Sequence, residues 1–251
     1  MTRPRVLVVA GLDPTGGAGL VADLEALSAV GATGWAVASA LTAQGPGALR
    51  PGRARGIRPT TPDFLEDQID ALLGGAERPA AVKTGMLGTA ALVAALADRL
   101  RARPFTRVPL VVDPVLLATS GLPLLERGSA SFAEVLAPLL ARARVATPNL
   151  PELALLTGLD VSTEAAAVRA ARLLPSRAVV VKGGHAEGEP ADLLVEGRRV
   201  SRLTGRRRPG TARGTGCRFA SALAGLLARG EPLEVAARGA KRVVERYLDG
   251  R

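Results

Sequence analysis

A glycine-rich turn leads into a helix near the end of the chain, in the segment "RGTGCRFASALAGLLARG". Gly214, Thr215 and Gly216 precede an apolar-periodic helix, so unpaired backbone N–H groups and the positive end of the helix dipole converge on one point. Anions bind readily at such points. Together with Cys217 in the first helical turn, these residues predict a catalytic anion-binding site.

Cys217 is the only cysteine of the chain, and it lies between Arg213 and Arg218. The helix dipole and the two cations should lower its pKa from the ordinary value of about 8.5, which predicts a thiolate near neutral pH. Two reactions fit: acyl transfer through a cysteine nucleophile, and phosphoryl transfer with the thiolate as a base. A cysteine hydrolase also needs a histidine, and the chain has only His185.

A second set of residues favours phosphoryl transfer. Asp113, Asn149 and Glu152 offer hard oxygen atoms, the ligands that Mg²⁺ prefers, and Lys182 offers a point charge for phosphates. Only three of the 33 basic residues are lysines, which suggests that lysine is kept where the planar fork of arginine would not fit. The chain has no G-x-x-x-x-G-K-S/T segment, so a nucleoside triphosphate would bind without a P-loop.

The opening segment "VLVVAGLDPTGGAGLVAD" contains a second glycine-rich loop. Gly17, Gly19 and Ala22 satisfy the G-x-G-x-x-A pattern of a dinucleotide loop, but the acidic residue that should follow roughly 20 residues later is missing. Asp23 in the first helix and Gln44 after the second apolar run suit a small polar heterocycle or alcohol better than a pyrophosphate. We therefore expect this loop to bind a small polar molecule.

Apolar runs such as "RVLVVAG" and "AVVVKGG" alternate with helical patterns along the chain. Continuous apolar runs indicate strands covered on both faces, which predicts a mostly parallel sheet in an α/β sandwich with the site at the carboxyl ends of its strands. Neither a linker nor a repeat is evident, so we expect one domain, 1–251. The predicted helices cover 19–30, 62–73, 89–101, 129–141, 151–157 and 163–173, followed by a hairpin around 196–197 and two closing helices.

Composition narrows the choice of partners. The formal charge of +10 would suit nucleic acid, but aromatic residues make up only 2% of the chain, too few for base stacking. No apolar run reaches the roughly 18 residues of a membrane span, and the first residues do not read as a signal peptide. We therefore expect a cytoplasmic protein that binds small molecules, with no specific nucleic acid and no membrane partner.

Seven segments resemble one family in order and spacing over nearly the whole chain: "AGLDPTGGAGLVADLEALSAVGA", "ALTAQ", "VKTGMLG", "VVDPVLLATSG", "TPNLPE", "VVVKGGH" and "RGTGC". They are similar to the hydroxymethylpyrimidine/phosphomethylpyrimidine kinases of thiamine biosynthesis, which belong to the ribokinase-like superfamily. The resemblance implies a single-domain, ribokinase-like three-layer α/β/α sandwich. It also implies ATP- and Mg²⁺-dependent phosphorylation of 4-amino-5-hydroxymethyl-2-methylpyrimidine, of its monophosphate, or of both, by a homodimer.

The resemblance also implies roles for individual residues. The pyrimidine would be held by Gly11, Asp23, Gln44 and Met86. Asp113 and Glu152 would bind the metal ion, while the ATP phosphates and nucleotide would be bound by Asn149, Lys182 and Lys241. The catalytic residues would be Lys182 and the anion hole Gly214–Cys217, with Cys217 where sugar kinases of the superfamily carry a catalytic aspartate. Lys83 and His185 receive no role.

The chain departs from the family pattern at several positions beside these motifs, which are Leu12, Val21, Gly45, Arg213 and Arg218. The departures leave the acceptor open, so a pyridoxal or pyridoxine kinase of the same superfamily is an alternative. A non-catalytic pyrimidine-binding regulatory protein and a cysteine-dependent acyltransferase or hydrolase are further alternatives. Mg²⁺-dependent ATP consumption separates the kinases from the other two.

Overall fold

The structure is a computed structural model that describes residues 2–43, 56–118, 123–183, 191–205 and 212–250. The central strands of its sheet are buried, as the continuous apolar runs predict. Within the described ranges the strands are β1 (Arg5–Leu12), β2 (Thr33–Ala43), β3 (Gly56–Pro59), β4 (Ala81–Thr84), β5 (Gly88–Thr89), β6 (Leu110–Val112), β7 (Leu125–Glu126), β8 (Val145–Ala146), β9 (Val179–Val181), β10 (Ala191–Glu196) and β11 (Arg199–Thr204).

The main sheet has nine strands in the order β11-β10-β9-β8-β6-β4-β1-β2-β3. Six adjacent strands, β2-β1-β4-β6-β8-β9, are parallel to one another. At one side of the sheet β3 pairs antiparallel with β2, and at the other side β10 pairs antiparallel with both β9 and β11. β5 and β7 form a separate small parallel pair. The chain thus has the mostly parallel sheet that the apolar runs predicted.

Helices cover both faces of the sheet, and the strands divide their side chains between two apolar cores. In β1, Leu7 and Val9 face one core while Val6 and Val8 face the other. The first core is completed by α2 (Pro62–Leu73), α3 (Ala90–Arg99), α4 (Phe132–Arg142), α5 (Leu150–Thr157) and α6 (Glu164–Ala171), and the second by α1 (Gly19–Ala29), α7 (Thr215–Ala228) and α8 (Leu233–Asp249). The expected α/β/α sandwich is confirmed.

The predicted elements agree with the structure along most of the chain. The hairpin joins β10 and β11 through Gly197, and the two closing helices are α7 and α8. The edge strand β3 and the small β5–β7 sheet were not expected, because runs of two to four residues carry no readable period. Within the described ranges, every helix is too short or too polar to cross a membrane.

The order of the strands determines where a ligand can bind. β1 lies between β2 and β4. The chain continues from β1 to β2 and β3 on one side and then crosses to β4 on the other side, so the direction of the connections reverses at β1. Such a switch point opens a crevice at the carboxyl ends of the strands. Here the crevice lies beyond Leu12 of β1 and Thr84 of β4, beside the loop that leads into α1.

That loop depends on a glycine at its junction with α1. Gly19 has φ +60°, and a Cβ at this position would overlap the carbonyl oxygen of Gly11. Gly158, at the end of α5, has a similar φ of +68° but has nothing within 4 Å of the corresponding Cβ position. The two glycines therefore share a backbone constraint and differ in steric room.

We expect Gly19→Ala to lower the free energy of unfolding by roughly 2–4 kcal/mol, because backbone strain and overpacking both act. Gly158→Ala is the matched control and should cost only about 1 kcal/mol, since the left-handed backbone is its sole penalty. Urea denaturation of the two variants measures the difference. Equal losses would contradict the close approach of Gly19 to Gly11.

Candidate active site

The two glycine-rich turns contact each other at the mouth of the crevice. Gly214, with φ +74°, is the N-cap of α7, and a Cβ there would overlap the carbonyl oxygen of Gly17 in the first loop. The same oxygen accepts a hydrogen bond of 3.0 Å from Arg218. The loop that precedes α1 and the predicted anion-binding turn of α7 therefore form one continuous surface.

Cys217 lies at this junction and is half-buried. Burial raises the pKa of its thiol to about 11; Lys83 opposes that shift, Asp23 and Asp113 add to it, and a backbone N–H of Gly19 that bonds the sulfur opposes it. The expected thiolate near neutral pH is therefore wrong, because desolvation outweighs the nearby cation and the N–H groups. At pH 7 the group is a neutral thiol.

The two arginines beside Cys217 are engaged with other partners, which explains why they do not activate the thiol. Arg218 is buried, pairs with Glu25 at 2.6 Å and stacks over the ring of Tyr247 at 3.7 Å. Arg213 pairs with Asp13 of the first loop at 3.2 Å. The Arg218 side chain thus connects α7 to α1, to the first loop and to α8, and the Arg213 side chain connects the start of α7 to the first loop.

A cation and a carboxylate lie on the other side of the anion-binding turn. Lys182 Nζ contacts Asp113 Oδ1 at 2.8 Å, and Thr147 donates to the same oxygen at 3.1 Å. A Cβ on Gly216 would lie 3.0 Å from Lys182 Nζ. Burial alone would lower the pKa of Lys182, but the charges of Asp113 and Glu152 raise it, so the lysine is an ammonium beside the turn.

Asn149 and Glu152 join this cluster at the start of α5. They form a capping box in which Glu152 N–H donates to Asn149 Oδ1 and Asn149 N–H donates to Glu152 Oε2, both at 2.8 Å. Burial raises the pKa of Glu152 to about 7, Lys182 lowers it, and Asp113 raises it further. Two buried carboxylates thus share one lysine.

Lys241 lies farther along the same edge of the sheet. Its Nζ contacts Asp192 Oδ2 at 2.8 Å, and the other oxygen of Asp192 accepts from Gly183 N–H at 2.9 Å. Gly183 directly follows Lys182 at the end of β9. The Lys241–Asp192 pair therefore connects α8 to the segment that carries Lys182. The predicted nucleotide-side residues therefore occupy one continuous strip.

Two of the predicted acceptor residues, Gly11 and Met86, lie against each other. A Cβ on Gly11 would lie 3.0 Å from Met86 Sδ, and the Met86 carbonyl accepts a 2.6 Å hydrogen bond from Ser39. Gln44 lies outside the described residues, as do Gly45 and His185. Gly11 and Met86 thus lie together at the switch point.

Asp23 differs from its predicted role as a residue that hydrogen-bonds the acceptor ring. Its side chain is fully buried, and its oxygens accept from Lys83 Nζ at 2.8 and 2.9 Å and from Ser221 Oγ at 2.8 Å. Its neighbours are therefore an ammonium and a hydroxyl inside the protein. Sequence reasoning missed Ser221, although it follows Cys217 by four residues and so shares a helix face with it.

The donor set of this edge fits a Mg²⁺ ion that is shared with phosphates. Across the described part of the chain, no group of three or more histidine, cysteine, aspartate or glutamate side chains converges as a metal site. Mg²⁺ in phosphate-transfer sites usually has one or two carboxylate ligands, with phosphate oxygens and water completing the shell. Asp113 and Glu152 provide such a pair beside Lys182.

A mostly parallel sheet between two layers of helices, with a glycine turn beside a buried lysine–aspartate pair, is typical of the ribokinase-like class of folds. Comparison with known proteins is more specific. The phosphomethylpyrimidine kinase family matches residues 13–250, and the chain belongs to this family.

Two curated relatives and one solved structure illustrate the likeness. The chain is 41% identical to the thiamine biosynthesis bifunctional protein of Geobacter sulfurreducens over 96% of its length, but spans only about half (48%) of that protein. It is 39% identical to the hydroxymethylpyrimidine/phosphomethylpyrimidine kinase of Streptomyces coelicolor, covering 97% of this chain and 88% of the relative. The pyridoxal kinase of Staphylococcus aureus in complex with AMP-PCP superposes with a TM-score of 0.86 at 27% identity, covering 99% and 89% of the two chains.

The ionisation of Cys217 can be read directly, because it is the only cysteine. We expect its alkylation by iodoacetamide to accelerate about tenfold per pH unit from pH 7 to pH 10, because the thiolate fraction rises throughout this range when the pKa is about 11. The urea-denatured protein is the control and should level off above about pH 8.5. A plateau below pH 9 in the folded protein would contradict the raised pKa.

Proposed function

We propose that this chain transfers the terminal phosphoryl group of ATP to the hydroxymethyl group of 4-amino-5-hydroxymethyl-2-methylpyrimidine, to its monophosphate, or to both. One observation carries the proposal: the N-terminal turn of α7 meets the Lys182–Asp113 pair on one side and the first glycine loop on the other. Such a turn can stabilise charge on a phosphoryl group that passes between two ligands. The family to which the chain belongs supports the same reaction.

On the donor side, the residues at the carboxyl ends of β6, β8 and β9 would bind the polyphosphate. Lys182 would neutralise phosphate oxygens, and Asn149 and Lys241 would lie toward the nucleotide. Asp113 and Glu152 would hold Mg²⁺, which when bound screens phosphate charge and orients the phosphates. The N–H groups of Gly214–Cys217 would bind the migrating phosphoryl group.

On the acceptor side, Gly11, Met86 and Gln44 would hold the pyrimidine. Gly11 has no side chain, so the Met86 sulfur packs close against its backbone; a Cβ on Gly11 would lie 3.0 Å from that sulfur. Asp23 would support this side from beneath through Lys83, without a direct contact with the ring. The acceptor hydroxyl would then face Cys217.

Cys217 would contact the acceptor hydroxyl as a neutral thiol. Because a protonated thiol cannot accept the hydroxyl proton, that proton would leave late, as the bond from the acceptor oxygen to phosphorus forms and the bond to the ADP oxygen breaks, and would pass to an oxygen of the transferred phosphoryl group or to water. That timing suits a loose phosphoryl-transfer transition state, in which positioning and charge stabilisation matter more than an ionised base.

A pyridoxal or pyridoxine kinase is the second candidate. The close superposition on a pyridoxal kinase favours it. Leu12 and Val21, two of the departures from the pyrimidine-kinase pattern, adjoin the first glycine loop. Both candidates share the donor side. The identity of the acceptor is therefore the property that separates them.

The remaining expectations belong to the same proposal. We propose one kinase domain over 1–251, a homodimer, and a cytoplasmic location, with small molecules as the partners and no specific nucleic acid or membrane partner. The apolar side chains of Val21, Leu24 and Leu41 are exposed on α1 and β2, and they support a contact between two copies on that face.

The acceptor assay tests the proposed function. With Mg·ATP, the purified protein should transfer phosphate to hydroxymethylpyrimidine, its monophosphate, or both with a kcat/KM at least about tenfold higher than to pyridoxal, because a site that hydrogen-bonds one ring discriminates strongly against another. Phosphate transfer is followed by mass spectrometry of the products.

Two results of this assay would revise the proposal. Transfer to pyridoxal alone would assign the chain to the second candidate. ATP binding without transfer to any of these acceptors would favour the non-catalytic regulatory protein.

The pKa of Glu152 gives a test of the metal site. Below about pH 7 its carboxyl is protonated and is a poor ligand, so the Mg²⁺ concentration for half-maximal transfer should fall as the pH rises through 7. Phosphate groups titrate near pH 6 as well, so the informative quantity is the difference between variants.

We expect Glu152→Gln to require roughly tenfold more Mg²⁺ for half-maximal transfer at pH 8. The Mg²⁺ requirement of this variant should also change less between pH 6 and pH 8 than that of the wild type, because an amide does not titrate. Glu196→Gln is the control and should behave as the wild type. Glu196 is a half-exposed partner of Arg144 and lies near the amino ends of the parallel strands, away from the crevice at their carboxyl ends. Mg²⁺ titrations at pH 6 and pH 8 measure both. An unchanged Mg²⁺ requirement in Glu152→Gln would remove this residue from the metal site.

A further inference from the structure

Three buried polar side chains join three elements of the fold beneath Cys217. Lys83 of β4 contacts both oxygens of Asp23 of α1, and Ser221 of α7 donates to one of them. All three residues are fully buried. The charge of Asp23 raises the pKa of Lys83 against the effect of burial, so the lysine remains an ammonium.

The cluster of Lys83, Asp23 and Ser221 lies close enough to Cys217 to affect its position. Asp23 lies four residues after Gly19, the first residue of α1, and Ser221 lies four residues after Cys217. Residues four apart share one helix face. The Asp23–Ser221 bond therefore lies one turn behind the contact between Gly19 N–H and the Cys217 sulfur.

Arg218 of α7 also pairs with Glu25 of α1 at 2.6 Å, but that carboxylate is exposed to solvent. The other buried contacts between the two helices are made by small or apolar groups. Gly225 allows a close approach, since a Cβ there would lie 2.7 Å from Val30 and 3.0 Å from Leu27. Ala26 and Ala222 are also buried in this core. Such contacts set the distance between two helices but have little directional preference. The buried Asp23–Ser221 hydrogen bond can fix how far α7 is shifted along α1.

The energetics also indicate a role beyond stability. Burying an ion pair costs solvation of both ions, and an apolar replacement of similar volume is often as stable. The best-attested use of a buried polar group is to fix the register of packed elements. In this fold the register of α7 against α1 sets where the anion-binding turn and Cys217 lie relative to the first glycine loop.

We propose that Lys83, Asp23 and Ser221 form a positioning unit that holds the first turn of α7, and with it Cys217, at the height required for phosphoryl transfer. Lys83 neutralises Asp23 and anchors it to β4 at the switch point. Asp23 in turn accepts the hydrogen bond from Ser221 of α7, which connects α7 to β4 through α1. The inference rests on the proposed kinase function, and the unit acts through Cys217 and the anion-binding turn.

Ser221→Ala tests the unit with a small change that leaves the ion pair in place. We expect kcat to fall about tenfold while the KM values for ATP and the acceptor stay within about twofold, because misplacement of a reacting group affects transfer more than binding. Thr157→Val is the matched control: it removes a hydroxyl that donates at 2.8 Å within α5, away from the site, and should leave kcat unchanged.

A double-mutant cycle separates positioning from general loss of packing. The background must lack the acceptor of the Ser221 hydrogen bond, so Asp23→Leu is combined with Lys83→Met, which leaves no unpaired buried charge. If Ser221 acts only through Asp23, adding Ser221→Ala to this double variant should lower kcat no further. Additive losses, or a wild-type kcat in Ser221→Ala, would overturn the proposal.

A readout that needs no substrate keeps this inference separate from the proposed function. Alkylation of Cys217 by iodoacetamide at pH 9 should be severalfold faster in Ser221→Ala than in the wild type or in Thr157→Val, because the first turn of α7 is less firmly held. If the wild type phosphorylates neither acceptor but the alkylation rates differ as stated, the function fails and the positioning unit stands. Equal alkylation rates in all three proteins would overturn the unit itself.

Discussion

The structure depends on the close approach of two glycine-rich turns. At Gly214 a side chain would overlap the carbonyl oxygen of Gly17, so the N-terminus of α7 can reach the first loop only because no Cβ intervenes. This contact brings the proposed acceptor side and the proposed phosphate side within one turn of helix. Arg218 and Arg213 bind to the first loop and reinforce the approach.

Charge neutrality is the second constraint on the same edge of the sheet. Each of the three lysines pairs with an aspartate at 2.8 Å: Lys83 with Asp23, Lys182 with Asp113, and Lys241 with Asp192. A compact ammonium fits these sites, where the longer and planar guanidinium would need more room. The pairs keep cations beside the crevice without an unpaired buried charge. A nucleotide phosphate could then compete for a lysine that is already in place.

Much of the fold and the general place of the site could be predicted, because buried parallel strands have continuous apolar runs and the site lies where those runs end. The partners of buried charges could not. Lys83 and Asp23 are 60 residues apart, and only the strand order brings β4 beneath α1. The charge of Cys217 was mispredicted for a related reason: the helix dipole and the arginines can be read from the sequence, whereas the degree of desolvation depends on packing.

The central claim is that the first turn of α7 lies between the acceptor and the phosphate donor. A crystal structure of the protein with Mg²⁺, AMP-PCP and hydroxymethylpyrimidine tests it most directly. The account predicts the terminal phosphate of the nucleotide on the N–H groups of Gly214–Cys217 beside Lys182, and the pyrimidine hydroxyl in contact with the Cys217 sulfur. A pyrimidine bound away from Cys217, or a terminal phosphate on a different turn, would contradict it.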